Sequence, residues 1–114
     1  MGLYVPRQGD FIVVTFDPQA GHEQKGRRPA LVVSKDVFNR SGFAIICPAT
    51  NTDRDYPFHV KIEGSATLTG YIMVEQVKSL DYRARKIRLI ERASPALVTE
   101  VLAILDSCIY DPPK

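Results

Sequence analysis

Short runs of apolar, β-branched and aromatic residues recur along the chain. They are "DFIVVTF" (10–16), "ALVVS" (30–34), "FAIICP" (43–48), "FHVKIE" (58–63), "YIMV" (71–74) and "KIRLIE" (86–91). Runs of this length and composition, bounded by polar residues, predict strands. The stretches between them, such as "NRSG" and "EGSATLTG", carry Gly, Asn, Ser and Glu and predict turns, and no repeat or linker interrupts the series. The pattern changes near the end. In "SPALVTEVLAILDSC" the apolar positions Leu97, Val101, Ile104, Leu105 and Cys108 fall on one helical face, with Ser94 and Pro95 as N-cap and first helical residue. The final "DPPK" cannot extend that helix. Six short strands and one amphipathic helix predict a single mainly β domain over residues 1–114, a small, strongly curved sheet or barrel with the helix packed against it.

A chain of 114 residues is long enough to bury one ordinary core. Its composition, 45% hydrophobic and 25% charged, is that of a globular protein rather than a disordered one. The formal net charge is only +2, so any case for a polyanionic partner rests on where the cations sit. Cys47 and Cys108 stand alone in apolar runs with no metal-ligand spacing, which predicts buried thiols in a reducing compartment. No apolar run approaches a membrane span and the first residues lack a secretory h-region, so the expected location is the cytoplasm, with no membrane partner.

Charge concentrates in three places. The stretch from Asp17 to Arg28, including "GHEQKGRRP", is long and polar for a strand connection and holds Glu23, Lys25, Arg27 and Arg28 between or beside Gly21 and Gly26. Arg28 precedes Pro29, which predicts an extended backbone and a rigid base for its side chain. "CPATNTDRDYP" (47–57) follows a predicted strand and offers Thr50, Asn51 and Thr52 as donors to phosphate oxygens or base edges, or as an ordinary Asn/Asp-rich turn. "VKSLDYRARKIR" (77–88) interleaves Tyr82 with Lys78, Arg83, Arg85, Lys86 and Arg88, a mixture suited to single-stranded nucleic acid or to a solvated basic face. His22 and His59 invite comparison with a two-histidine ribonuclease, but His59 alternates with Phe58 and Val60 as a surface strand residue would. Asp53 and Asp55 have no third ligand at a metal spacing, and no metal or other cofactor is expected.

Four ordered stretches, "YVPRQGDFIVVTFDP", "GHEQKGRRPALVVS", "CPATNTDRDYPFHV" and "VEQVKSLDYRAR", resemble the MazF/PemK family of toxin endoribonucleases from bacterial toxin–antitoxin systems over nearly the whole chain. The resemblance implies an SH3-like barrel with a C-terminal helix, usually a homodimer, that cuts single-stranded mRNA at specific sequences without metal and is neutralised by a cognate antitoxin. It implies Arg28 of the "RP" element and Thr50 of the "P-x-T" element as the catalytic pair, and Glu23 of the "EQ" element at the border of the RNA groove. Lys25, Arg27, Asn51, Lys78, Arg83 and Arg85 are then the expected RNA contacts. An acidic disordered antitoxin segment would pair with Lys25, Arg28 and Arg85.

A guanidinium suits such cleavage because it binds phosphate bidentately and stays protonated, which gives Arg28 a charge-stabilising role and not that of a base. Glu23, His22 and water remain the candidate bases. Two non-cleaving readings accompany this one, a gyrase poison of the CcdB type and an RNA-binding barrel.

Overall fold

The computed structural model describes residues 3–16 and 26–113. Among these residues, seven strands run antiparallel to their neighbours: β1 (Asp10–Thr15), β2 (Arg27–Val32), β3 (Phe43–Thr50), β4 (His59–Lys61), β5 (Tyr71–Met73), β6 (Lys78–Asp81) and β7 (Arg88–Arg92). A four-residue helix, α1 (Asp36–Asn39), follows β2, and α2 (Pro95–Ile109) ends the chain. The strand order is β4-β5-β3-β2-β1-β7, with β6 also on β3, so the curved sheet is not closed. This is the strongly curved sheet that the strand series predicts, and it is compatible with the SH3-like fold that the resemblance implies.

Period-two alternation distributes the apolar residues between two cores. Phe11, Leu31, Cys47 and Ile72 pack on the side covered by α2, while Ile12, Val14, Ala30, Ile46 and Tyr82 form the other cluster. The α2 helix joins the first cluster through Leu97 and Val101. Its start is the predicted one: Ser94 accepts a hydrogen bond from the Leu97 amide at 3.2 Å and Pro95 follows, a cap of about 1 kcal/mol. Cys47 is fully buried, and burial, with Glu75 adding to it, pushes its thiol up to about 12. Cys108 departs from the expectation and is exposed, because α2 packs against the core as far as Leu105 and residues 106–109 of its last turn are exposed.

β3 is the pivot of the sheet. Residues Phe43–Ile46 pair with β6, and beyond them Ala49 and Thr50 pair with β5 on the same edge. The change of partner falls at Cys47 and Pro48, and Pro48 has no N–H for a ladder bond. β6 itself was not expected from the sequence: "KSLD" buries only Leu80, too little apolar signal for a strand. β2 begins three residues earlier than predicted, so Arg27 and Arg28 belong to the strand and not to the preceding loop.

Candidate RNA-cleaving groove

Arg28 and Thr50 come together from two strands. β2 and β3 pair from Val32↔Ile46 to Ala30↔Pro48, and continuing that register by two residues sets Arg28 across from Thr50. Pro29 and Pro48, both without an N–H, stand at the point where the β2–β3 pairing stops. A groove of about 180 Å³ opens there, lined by Arg28, Pro29, Thr50, Asn51 and the segment Thr67–Thr69. The Thr50 hydroxyl accepts the Thr52 amide at 3.1 Å, which orients the oxygen and leaves its proton as a donor.

The far wall is the β4–β5 connection, and its position is fixed at both ends. Gly70, at φ +103°, lies so close that a Cβ there would be 2.2 Å from the Thr50 carbonyl oxygen and 2.8 Å from Asn51 Oδ1. Thr69 donates its hydroxyl to Asn51 Oδ1 at 3.3 Å. At the other end Glu91 of β7 accepts from the Ser65 hydroxyl, from the Ala66 amide at 3.3 Å and from the Thr67 amide at 3.1 Å. These donors, the Ser65 hydroxyl first, hold the Glu91 carboxyl below the usual carboxylate range.

The other expected contacts divide. Asn51 lines the groove and is exposed. Arg27, one residue from Arg28 and therefore on the opposite face of β2, donates from Nη1 to Thr15 Oγ1 at 3.1 Å and from Nη2 to the Lys86 carbonyl at 2.6 Å. Lys86 holds a positive φ of 51°, so its carbonyl is presented from a strained turn. Arg85 donates to the Thr15 carbonyl at 2.9 Å. Lys78 stands 6.0 Å from the Phe16 ring centroid, and Arg83 lies 5.8 Å from that of Tyr82. Glu23, Lys25 and His22 lie outside the described residues.

Two sequence expectations are overturned. Tyr82, read as an aromatic interleaved for stacking, is fully buried and donates its hydroxyl to the Asn39 carbonyl at 2.7 Å. Asp81 turns it inward by capping the 3₁₀ turn Tyr82–Ala84 through the Arg83 and Ala84 amides. His59 is not a surface residue: its side chain is 4% exposed, with Nε2 2.9 Å from Glu75 Oε2 and the Tyr56 ring edge-on at 5.1 Å. The 3₁₀ turn Val74–Gln76 supplies Glu75 against β4 and closes over it. Sequence reasoning missed Thr67, Thr69 and Gly70, which carry no charge and enter the site only through the fold. Among the described residues, no three His, Cys, Asp or Glu side chains gather as a metal site.

The open, curved antiparallel sheet thus presents a groove lined by one arginine, one asparagine and three threonines, and comparison with known proteins gives the family. Residues 7–109 match the model described as "PemK-like, MazF-like toxin of type II toxin-antitoxin system", and the chain belongs to that family. It is 43% identical over 83 residues to the endoribonuclease toxin MazF of Escherichia coli K12, covering 72% of this chain and 74% of that one. The crystal structure of MazF from Deinococcus radiodurans superposes with a TM-score of 0.88 at 37% identity, over 93% of this chain and 97% of that one. MazF in a MazE–MazF crystal structure from the same organism gives a TM-score of 0.83 at 37% identity, covering 93% and 96%.

Proposed function

We propose that this protein is a toxin endoribonuclease that cuts single-stranded RNA in the Arg28–Thr50 groove. The observation that carries the reading is the convergence of Arg28 from β2 and Thr50 from β3 on one groove large enough for a phosphodiester and its flanking atoms. In this reading the 2′-hydroxyl of the substrate attacks the adjacent phosphorus. Arg28 faces the negative charge that builds on the pentavalent centre, and the Thr50 hydroxyl donates to a non-bridging oxygen. Arg28 stays protonated throughout and takes no proton. Asn51 holds the neighbouring nucleotide, and Lys78, Arg83 and Arg85 set the surrounding positive field. Glu23 and Lys25 belong to the RNA-facing set by family resemblance, whereas Arg27, expected in that set too, lies on the face of β2 opposite the groove and serves as a structural tie.

The reaction requires no metal, leaves a 2′,3′-cyclic phosphate or 3′-phosphate with a 5′-hydroxyl, and takes place in the cytoplasm. The test is digestion of an unstructured RNA by purified protein in excess EDTA with both product ends identified. Cleavage with 5′-hydroxyl ends is expected, and chelator-sensitive cleavage or 5′-phosphate ends would overturn the mechanism. Duplex RNA should resist because A-form stacking prevents splaying of the scissile step.

Regulation follows from MazE bound to MazF in the Deinococcus structure. The partner here is a cognate antitoxin whose acidic, disordered segment lies across the groove against Arg28, Arg85 and Lys25, so its association should weaken with added salt. The active form in this reading is a homodimer. Ile109 and Tyr110, 73% and 59% exposed at the end of α2, are apolar surface of the kind a twofold partner covers.

A further inference from the structure

The groove continues in one direction as a row of side chains across the sheet. Thr50 of β3 is paired with Tyr71 of β5, and Tyr71 is paired with Lys61 of β4. Directly opposed residues of antiparallel strands put their side chains on the same face. The alternate row on these strands, Ala49, Ile72 and Val60, is buried in the core beneath α2, so Thr50, Tyr71 and Lys61 share the face away from that core. Strands lie about 4.8 Å apart, which places Tyr71 one strand and Lys61 two strands from the catalytic threonine.

The chemistry along the row alternates. Tyr71 is partly exposed and Lys61 is exposed. The Tyr71 hydroxyl is hydrogen-bonded to Asp53, on the loop after β3, and that bond with the nearby charge raises the phenol above its ordinary range. Asp53 therefore stands at the polar edge of the ring, and its carboxylate repels a phosphate from the same spot. A base is the part of a nucleotide that such a site accepts: it stacks on the ring face, while the phosphate beyond it meets the Lys61 ammonium.

We propose that Tyr71 is the stacking platform for the base next to the scissile phosphate, with Lys61 binding the following phosphate, so that the RNA crosses β3, β5 and β4 in that order. The inference rests on the RNA-cleaving reading above and extends it from the bond that is cut to the nucleotide that is held. Neither residue touches the reacting atoms. Both are binding residues, and their loss should raise KM and leave kcat nearly unchanged.

The chain contains no tryptophan, so Tyr71→Trp installs a single reporter at the proposed platform. Binding is read with an oligoribonucleotide that carries the mapped cleavage motif and a 2′-O-methyl group at the scissile nucleotide, so that it cannot be cut. Saturating oligonucleotide should quench the Tyr71→Trp emission strongly, by base–indole stacking. Tyr71→Leu should weaken binding and raise KM by about 10-fold with kcat within about 3-fold, while Tyr71→Phe restores both. Lys61→Gln should reduce the slope of log K against log salt by about 0.7. Wild-type affinity in folded Tyr71→Leu would overturn the proposal, and if that variant did not fold, unchanged Tyr71→Trp emission at saturation would overturn it. Absence of RNA cleavage by the wild-type chain would instead remove the functional reading beneath it.

Discussion

Arg27 and Arg28 are neighbours in sequence and serve two different regions of the molecule. Arg27 faces the seam between β1 and the turn before β7, where its guanidinium is taken up by Thr15 and the carbonyls of Arg85 and Lys86. Arg28 faces the groove with Thr50 and Asn51. The same kind of side chain thus closes backbone hydrogen bonds in one place and lines a groove in the other. One residue of strand alternation makes the difference. A count of cations along the chain cannot separate the two, because a guanidinium that satisfies carbonyls has the same sequence signature as one that lines a groove.

The comparison breaks most directly at Arg28. Arg28→Ala should lower the single-turnover cleavage rate at saturating enzyme by about 10²-fold or more, with the melting temperature little changed. Thr50→Ala should behave alike, and the double mutant should lose less than the product of the two if both act on one phosphorane. Arg27→Ala should do the reverse: a loss of about 1 kcal/mol, read as a fall of roughly 4–8 °C in melting temperature, with a cleavage rate within about 10-fold of wild type. A collapse of activity in Arg27→Ala alongside an active Arg28→Ala would reassign the groove to the other arginine.

The wall opposite the pair gives a second test. Gly70→Ala must move either the Thr50 carbonyl or the β4–β5 connection, and its backbone is left-handed as well. It should cost about 2–3 kcal/mol in denaturant unfolding and lower cleavage even where the protein remains folded. The smallest effect concerns the two thiols. Exposed Cys108 should react with a disulfide reagent at neutral pH, giving one equivalent per chain, and Cys47 should react only after unfolding because burial keeps it a neutral thiol. Two equivalents from the native protein would mean that the core around Cys47 opens.

Much of this molecule was legible before its fold was known. The alternating apolar runs located six strands, and Ser94–Pro95 located the start of α2. Arg28 and Thr50 were legible through their motifs, and the register of β2 and β3 then explains how they meet. What stayed hidden depends on long-range packing. β6 has one buried apolar residue and takes its strand geometry from β3, while Tyr82 is turned into the core by the Asp81 cap. His59 is covered by Glu75, sixteen residues away. Thr67, Thr69 and Gly70 line or shape the groove because Glu91 and Asn51 hold their segment in place, a relation between distant stretches that no local pattern encodes.

The hand-over at Pro48, where β3 leaves β6 for β5, bears on how such a sequence can drift. The main chain around the site is set by a pivot strand with ladders on both sides, whereas Asn51, Thr67, Thr69 and Tyr71 point into the groove or stand beside it at strand ends and in a connection. Substitutions at those four positions meet little of the packed core, so in the proposed reading a lineage can change which RNA is recognised in single steps without passing through an unfolded ancestor. Substitutions at Pro48 or Gly70 have no such freedom. The same small scaffold can therefore diversify its targets while the frame that presents Arg28 and Thr50 stays fixed.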